Sequence, residues 1–305
     1  YTTQYTYDVD DNMTDVYYPS SNRHIQYAYN SNNQVTSVAG FGGSITNITY
    51  YTAGTAIGLP YQYKYSNGHT TTLTYNNRNL ITGITAGASV LDLDYGYDST
   101  GNTTSITNNL NSAKNQTLDY DDLNRLVTFN GPWGAGSYTY DALGNRKTKT
   151  VAAASTYNYT NNRLTSVTGA EAASYHYNND GDLDSLTVSG ATYALKYDRL
   201  HNLTSYEYGA SVLASYNYDG DGMRVMKVAN GKTVIYHYDQ GGRVISETDE
   251  TEKFLADYIY LHGKLVAKAI PAPNITVSPT SYNFGSVFIG NSSTTATFTI
   301  SNMGT

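Results

Sequence analysis

Cysteine is absent from the 305 residues of the chain, which excludes a disulfide framework, a thiolate metal site and a thiol nucleophile, and leaves the redox compartment open. Proline is scarce, with 6 residues, and tryptophan occurs once. Charged residues amount to 14%, about half the usual quarter. With 18 Lys and Arg against 25 Asp and Glu and a formal net charge of -7, the cations form no visible patch, so no nucleic-acid partner bound by counterion release is expected. No apolar run approaches the ~18 residues of a membrane-spanning helix, and no signal-peptide pattern is present. The chain opens on Tyr1 inside a strand-like pattern, which reads as a segment of something longer.

What fills the space is tyrosine. Hydrophobic residues reach 39%, but 33 of them are Tyr, so the aliphatic inventory falls well below the roughly 45–50% apolar content of an ordinary domain. Tyr must therefore carry much of the burial. Thr, Asn, Ser and Gly supply most of the remainder, a mixture that favours strands and turns over helices.

The tyrosines are placed by a repeat. An aromatic or Leu, one residue, Tyr, then Asp or Asn recurs at intervals of about twenty residues. The second Tyr of each copy is Tyr7, Tyr29, Tyr75, Tyr97, Tyr120, Tyr140, Tyr159, Tyr177, Tyr197, Tyr218 and Tyr238, with a degenerate last copy at Tyr258 and Tyr260. The double-length step from Tyr29 to Tyr75 implies a decayed copy near Tyr50 and Tyr51. Every residue after these tyrosines is Asp or Asn except Thr160. Three positions further on stand Gly101, Gly144, Gly181, Gly222 and Gly242, or Asp11, Asn33, Asn79 and Asn124, with Arg163 and His201 as exceptions. Asx at the first position of a type I turn caps the turn's N–H groups, and Gly or Asn tolerates the left-handed fourth position. Each copy therefore predicts a β-hairpin with both tyrosines on one face. Asn230-Gly231 predicts a two-residue type I′ turn at the opposite edge, and Asn67-Gly68 and Asn130-Gly131 read the same way.

Eleven or twelve hairpins would give about 22–24 strands, a width at which a twisted sheet must curl. The expected fold is all-β: tandem hairpins in a long, spiralling sheet over residues 1–269, then a Pro-rich joint at 270–274 and a partial Ig-like segment at 275–305.

The units Tyr95-Gly96-Tyr97-Asp98-Ser99-Thr100-Gly101-Asn102, Tyr138-Thr139-Tyr140-Asp141-Ala142-Leu143-Gly144-Asn145-Arg146 and Tyr236-His237-Tyr238-Asp239-Gln240-Gly241-Gly242-Arg243 resemble the YD repeats of RHS-repeat proteins. The run Tyr216 to Arg224, with Tyr258-Ile259-Tyr260-Leu261 and Gly263-Lys264-Leu265-Val266-Ala267, resembles the last repeats before an RHS core. That family includes C components of insecticidal toxin complexes, polymorphic toxins, wall-associated proteins and teneurins. The resemblance implies a hollow β-shell, which in bacterial members encloses a C-terminal toxin released by a core aspartyl protease. After Ala267 the pattern departs, because the core motif and the protease aspartates are missing. Ile275-Thr276-Val277-Ser278-Pro279, Tyr282 to Gly290 and Thr297 to Gly304 instead resemble the first strands of an Ig-like domain of the ASPM–SPD-2–Hydin or choice-of-anchor type. A complete sandwich needs about 100 residues, so these strands predict either a cut domain or strand addition to a neighbour.

Chemistry-bearing candidates are few. Asn178, Asp180, Asp182 and Asp184 alternate as calcium ligands do, but Leu183 stands where an EF-hand-like loop needs Gly, and a solvated turn is the favoured reading. Asn230-Gly231-Lys232-Thr233 echoes the end of a phosphate loop, yet Met226 replaces its first Gly. His176 and His237 each lie between repeat tyrosines and read as surface positions. Trp133, in Gly131-Pro132-Trp133-Gly134, reads as loop packing before surface anchor. No Gly-x-Ser-x-Gly elbow occurs, and no carboxylate pair stands out from turn-forming Asp.

The resulting expectation is a non-enzymatic structural module of a secreted or cell-surface protein, a shell, stalk or fibre, without cofactor or membrane span. Its expected partners are other copies or other segments of the same long protein. The alternatives are an adhesin contacting glycans or cell-surface proteins, and a shell segment of a toxin-delivery protein.

Overall fold

In the computed structural model, residues 2–272, 275–281, 295 and 297–302 are described. Twenty-six strands, from β1 (Gln4–Tyr7) to β26 (Lys264–Ala269), form one antiparallel sheet. It is a strict meander, with each strand pairing with its neighbours in sequence, as at Tyr7↔Met13, Val16↔Ile25, Tyr27↔Val38 and onward to Tyr260↔Leu265. The count exceeds the expected 22–24 because both decayed copies are complete hairpins, one turning after Tyr50 and one after Leu261. Among the described residues helix is confined to single turns at Gly87–Val90 and Ser112–Lys114. Beyond the sheet, Ile275–Ser278 pairs with Thr299–Asn302 as a separate two-stranded ladder. The expected strand over Tyr282–Gly290 lies outside the described residues.

The repeat hairpin is built by its Asx residue. At Asp98 one carboxylate oxygen accepts the N–H groups of Thr100, Gly101 and Asn102 at 2.8–2.9 Å, while the Asn102 amide donates to the other. The backbone closes the same loop with Asp98 N–H to Asn102 O and Gly101 N–H to Asp98 O. The fourth position is left-handed in every copy but that of Arg163, at φ 100° for Gly101, 88° for Gly144 and 64° for His201. His201 thus adopts the glycine conformation, held by its ring bond to Asp182. The hairpin after Tyr159 differs from the expected four-position turn. Thr160 pairs directly with Arg163, and Asn161 and Asn162 both have positive φ, so this is a two-residue type I′ turn.

At the opposite edge, Asn230-Gly231 forms the expected type I′ turn with φ of 52° and 69°. The other two differ. Gly68 alone is left-handed in a three-residue loop closed by Tyr65 and His69. Asn130 and Gly131 are in the strand Leu126–Gly131, and the turn is Pro132-Trp133.

Each hairpin carries a bulge beside its repeat Tyr. Thr139 pairs with Thr148, but Tyr140 pairs with Arg146, so Lys147 is skipped. The skip takes the first carbonyl of the return strand out of the ladder. The Tyr of the next hairpin supplies the missing donor: Tyr159 OH donates to Arg146 O at 3.1 Å, Tyr97 OH to Ile81 O at 2.6 Å, and Tyr140 OH to Leu126 O at 2.8 Å. The same bond recurs from Tyr29, Tyr50, Tyr75, Tyr120, Tyr177, Tyr218, Tyr238 and Tyr260. Buried carbonyls need a partner, which accounts for Tyr rather than Phe in the row.

The two faces differ in chemistry. Opposite the tyrosines the middle of the sheet presents Thr and Ser, paired across strands by hydroxyl contacts such as Thr139 with Thr148 at 2.6 Å and Thr187 with Thr192 at 2.8 Å. The aliphatic residues are concentrated elsewhere. Val16, Tyr18, Ile25, Tyr27, Val35, Val38, Ile45 and Ile48 form one buried cluster with Ile245, Ile259, Leu261 and Ala269. The sheet bends until its first hairpins lie against its last.

Candidate functional site at the seam

The contact between the two ends is face to face and asymmetric. From the early strands β2 (Met13–Tyr18) and β3 (Arg23–Tyr29) it uses the tyrosine face, with Ile25, Tyr27 and their partners Val16 and Val38. From the late strand β25 (Phe254–Leu261) it uses the face opposite the repeat tyrosines, with Asp257, Ile259 and Leu261. That face is Ser- and Thr-rich through the middle of the sheet, and where it becomes covered Ile259 and Leu261 join the buried Ser246, Thr248 and Asp257. Burying each of Ile25, Ile45 and Ile259, all at 2% exposure or less, stabilises by about 1.5–3 kcal/mol.

Polar groups fix the register of the two layers. Tyr18 OH donates to Tyr258 O at 3.1 Å and Tyr27 OH to Tyr260 O at 3.0 Å. Arg23 Nε donates to Asp257 Oδ2 at 3.1 Å, and Ser246 Oγ donates to Asp257 Oδ1 at 2.9 Å. Asp257 is fully buried, and Arg23 is 20% exposed. Burial pushes the Asp257 carboxyl above its ordinary value, against the opposing hydrogen bonds of Ser21, Ser246 and Arg23. Burial also pushes Tyr27 up to about 12. Gly40 closes the rim: at φ 101° any Cβ would fall 1.8 Å from His24 O, and its carbonyl accepts Arg23 Nη1 at 3.2 Å.

Between the two ends a cleft of about 450 Å³ is lined by Tyr5, Tyr7, Met13, Tyr27, Tyr29, Asp239, Arg243, Tyr260 and His262 among others. Arg243 pairs with Asp239 at 2.7 Å and lies over the Tyr260 ring.

The sequence-level candidates fall in several places. Of the repeat tyrosines, all but Tyr7 and Tyr197 join the hydroxyl ladder, and Gly101, Gly144, Gly181, Gly222 and Gly242 occupy left-handed turn positions. Asn178 caps its turn through Asp182, Asp182 meets the His201 ring at 2.9 Å, and Asp184 meets His176 at 2.6 Å. Among the described residues no group of three or more His, Cys, Asp or Glu is placed to hold a metal ion. His176 is exposed, but His237 is not a surface position. It is half-buried, bonded through Nε2 to Thr248 Oγ1 at 2.9 Å, and burial lowers its pKa to about 4. The reason is the overlap, which covers the back face at the late hairpins only. Trp133 folds over Gly131, is 53% exposed and lines a second hollow with Phe129 and Tyr138.

The Arg23–Asp257 pair escapes sequence reading, because its halves are separated by almost the whole chain. One signal was present: Asp257 interrupts the apolar alternation of Phe254–Leu261.

Comparison with known proteins bears on this architecture. Residues 145–269 match the Teneurin YD-shell family. The tRNA3(Ser)-specific nuclease WapA of Bacillus spizizenii is 32% identical over 176 residues, covering 55% of this chain and 7% of that protein. The tRNA nuclease WapA of Bacillus subtilis is 32% identical over 148 residues, covering 46% of this chain and 6% of that protein. The chain thus spans a small part of the relatives it matches. The expectation of a protein without enzymatic activity is overturned by these relatives, which are both named as nucleases. Composition and repeat described only the matched stretch, and an activity carried by a whole long protein leaves no mark there. In fold, the chain is similar to the TcdB2-TccC3-Cdc42 crystal structure, with a TM-score of 0.50 and 15% identity over 88% of this chain and 18% of that one. Among the described residues no helix is long and apolar enough to cross a membrane. In its repeat unit, its meander sheet and the match over residues 145–269, the chain is similar to RHS/YD-shell proteins.

Proposed function

We propose that this chain is a wall segment of a β-shell within a longer, secreted protein of toxin type, and that the longer protein has nuclease activity on RNA. The carrying observation is the seam: an ion pair with a fully buried carboxylate and an aliphatic cluster join hairpins at opposite ends of the array, Arg23 and Asp257 being 234 residues apart, so the meander is built to curve and overlap. The nuclease names of the two relatives support the activity. In this reading the segment contributes the enclosure, and its division into repeat array 1–269, joint 270–274 and Ig-like start 275–305 is part of the proposal. The outer edges of β1 and β26 are where further hairpins would add.

The test is to express the complete reading frame, assay cleavage of a tRNA pool, and image the particle. RNA cleavage together with a hollow sheet wall at residues 1–269 is expected. An inactive full-length product, or a wall collapsed into a solid layer, overturns it.

A further inference from the structure

The tyrosine face and the opposite face differ in charge as well as polarity. On strands in the middle and late part of the sheet, the tyrosine face carries Arg146, Lys149, Arg224, Lys227 and Lys268, with Glu247 and with Glu171 reaching Tyr157 and Lys149. The opposite face carries Asp92, Asp94, Asp119, Asp184 and Glu207, with Lys196 and Lys264. In this acidic protein cations thus outnumber carboxylates on the tyrosine face, and carboxylates outnumber cations on the opposite one.

Two of these cations are held in the same way. Arg146 lies between the Tyr138 and Tyr157 rings, at 5.5 and 4.2 Å. Arg224 lies between the Tyr216 and Tyr236 rings, at 5.4 and 5.1 Å. Stacking fixes each guanidinium without using up its N–H donors. Among the described residues no carboxylate is in ion-pair contact with Arg146, Arg224 or Lys227. The Nε of Arg146 is buried and makes no hydrogen bond. A buried, unpaired donor is costly.

The seam shows how this face accepts a covering chain. There the occupant is an extended strand, β25, which brings a carboxylate to Arg23, offers its backbone carbonyls to Tyr18 and Tyr27, and lays Ile259 and Leu261 on the aliphatic positions. Ring-stacked arginine is presented again at Arg146 and Arg224, away from the seam; at Arg146 the Tyr157 hydroxyl and Lys149 are engaged by Glu171, while the guanidinium itself has no ion-pair partner.

We propose that the tyrosine face at Arg146 and at Arg224–Lys227 is a docking surface for an acidic, extended polypeptide segment with alternating apolar residues. The carboxylates would take the stacked guanidinium groups, and the apolar side chains would lie between the tyrosine rings.

Fluorescence anisotropy on the full 305-residue chain tests this with a labelled nine-residue peptide alternating Glu and Val, its Lys-Val counterpart, and a single-stranded uridine oligonucleotide. The acidic peptide should bind saturably, weaken as salt is raised, and lose at least tenfold in affinity in R146Q/R224Q/K227Q. R224Q/K227Q, which leaves the partly buried Arg146 in place, should lose part of that. Lys196→Gln on the opposite face should change nothing. Circular dichroism checks that the variants remain folded. Absence of acidic-peptide binding, equal binding of the Lys-Val peptide, unchanged affinity in R224Q/K227Q, or binding of the oligonucleotide in place of the peptide overturns the proposal. None of these readouts depends on nuclease activity, so failure here and failure of the shell reading are separable.

Discussion

Tyr97 donates its phenolic hydroxyl to the carbonyl of Ile81 at 2.6 Å, the carbonyl left free by the bulge of the preceding hairpin. Repeated along the sheet at every junction but that of Tyr197, this one bond ties a hairpin to the one before it through a side chain as well as through the ladder.

Tyr97→Phe keeps the ring and removes the donor. The stranded Ile81 carbonyl should cost about 1–3 kcal/mol, read from the urea midpoint. Tyr97→Leu should cost more, because ring contacts go as well. An unchanged midpoint in Tyr97→Phe would show that the hydroxyls are idle.

Breaking the seam pair from one side should be expensive. Asp257→Ala leaves Arg23 and Ser246 without their acceptor, and about 3–5 kcal/mol is expected for an interrupted buried pair, towards the lower figure because Arg23 is 20% exposed. Arg23→Met with Asp257→Leu should recover much of that loss. A double-mutant cycle by thermal unfolding measures the coupling, and strictly additive losses would show that the pair does not join the two ends.

The seam should also respond to pH through His237. Its pKa falls from 6.5 to about 4 on burial, so the folded state favours the neutral ring. Its contribution to stability is complete above pH 6.5 and is lost as pH falls from 6.5 through about 4. Asp257 runs the other way: burial raises it, so its contribution is complete below 3.8 and declines as pH rises through its folded value. Thermal midpoints measured between pH 7 and 4 should fall in the wild type and fall less in His237→Gln. Parallel curves for the two proteins would reject the assignment.

Turn carboxylates should protect the array down to lower pH. At Asp98, desolvation raises the pKa, but the Asn102 and Thr100 side chains and the N–H groups of Asn102 and Gly101 outweigh it and bring it to about 2. Its contribution is therefore present above 3.8 and lost as pH falls through about 2. Carboxyl-detected NMR should place the Asp98 midpoint near 2, and a midpoint at 3.8 would show the turn bonds to be ineffective.

The hairpins and their turns could be read from the chain because they are local. Tyr, Asx and Gly or Asn at fixed offsets specify a strand end, a capped turn and a left-handed residue within a few positions. Even there, Thr160 to Arg163 turned more tightly than expected, since two adjacent asparagines tolerate left-handed φ. The family resemblance rested on the same units. The function of the whole protein was not legible, because the matched stretch is a small part of its relatives.

Sequence alone determined the all-β array, the tyrosine row and its period, since each follows from residue preferences within one hairpin. Tertiary structure decided which faces are covered. Whether Asp257 is a solvated carboxylate or a buried partner of Arg23, and whether His237 is a surface ring or a half-buried one, depends on where the sheet curves back upon itself. That curvature is the sum of small twists and bulges over 26 strands, so it is a property of the array and of no single repeat.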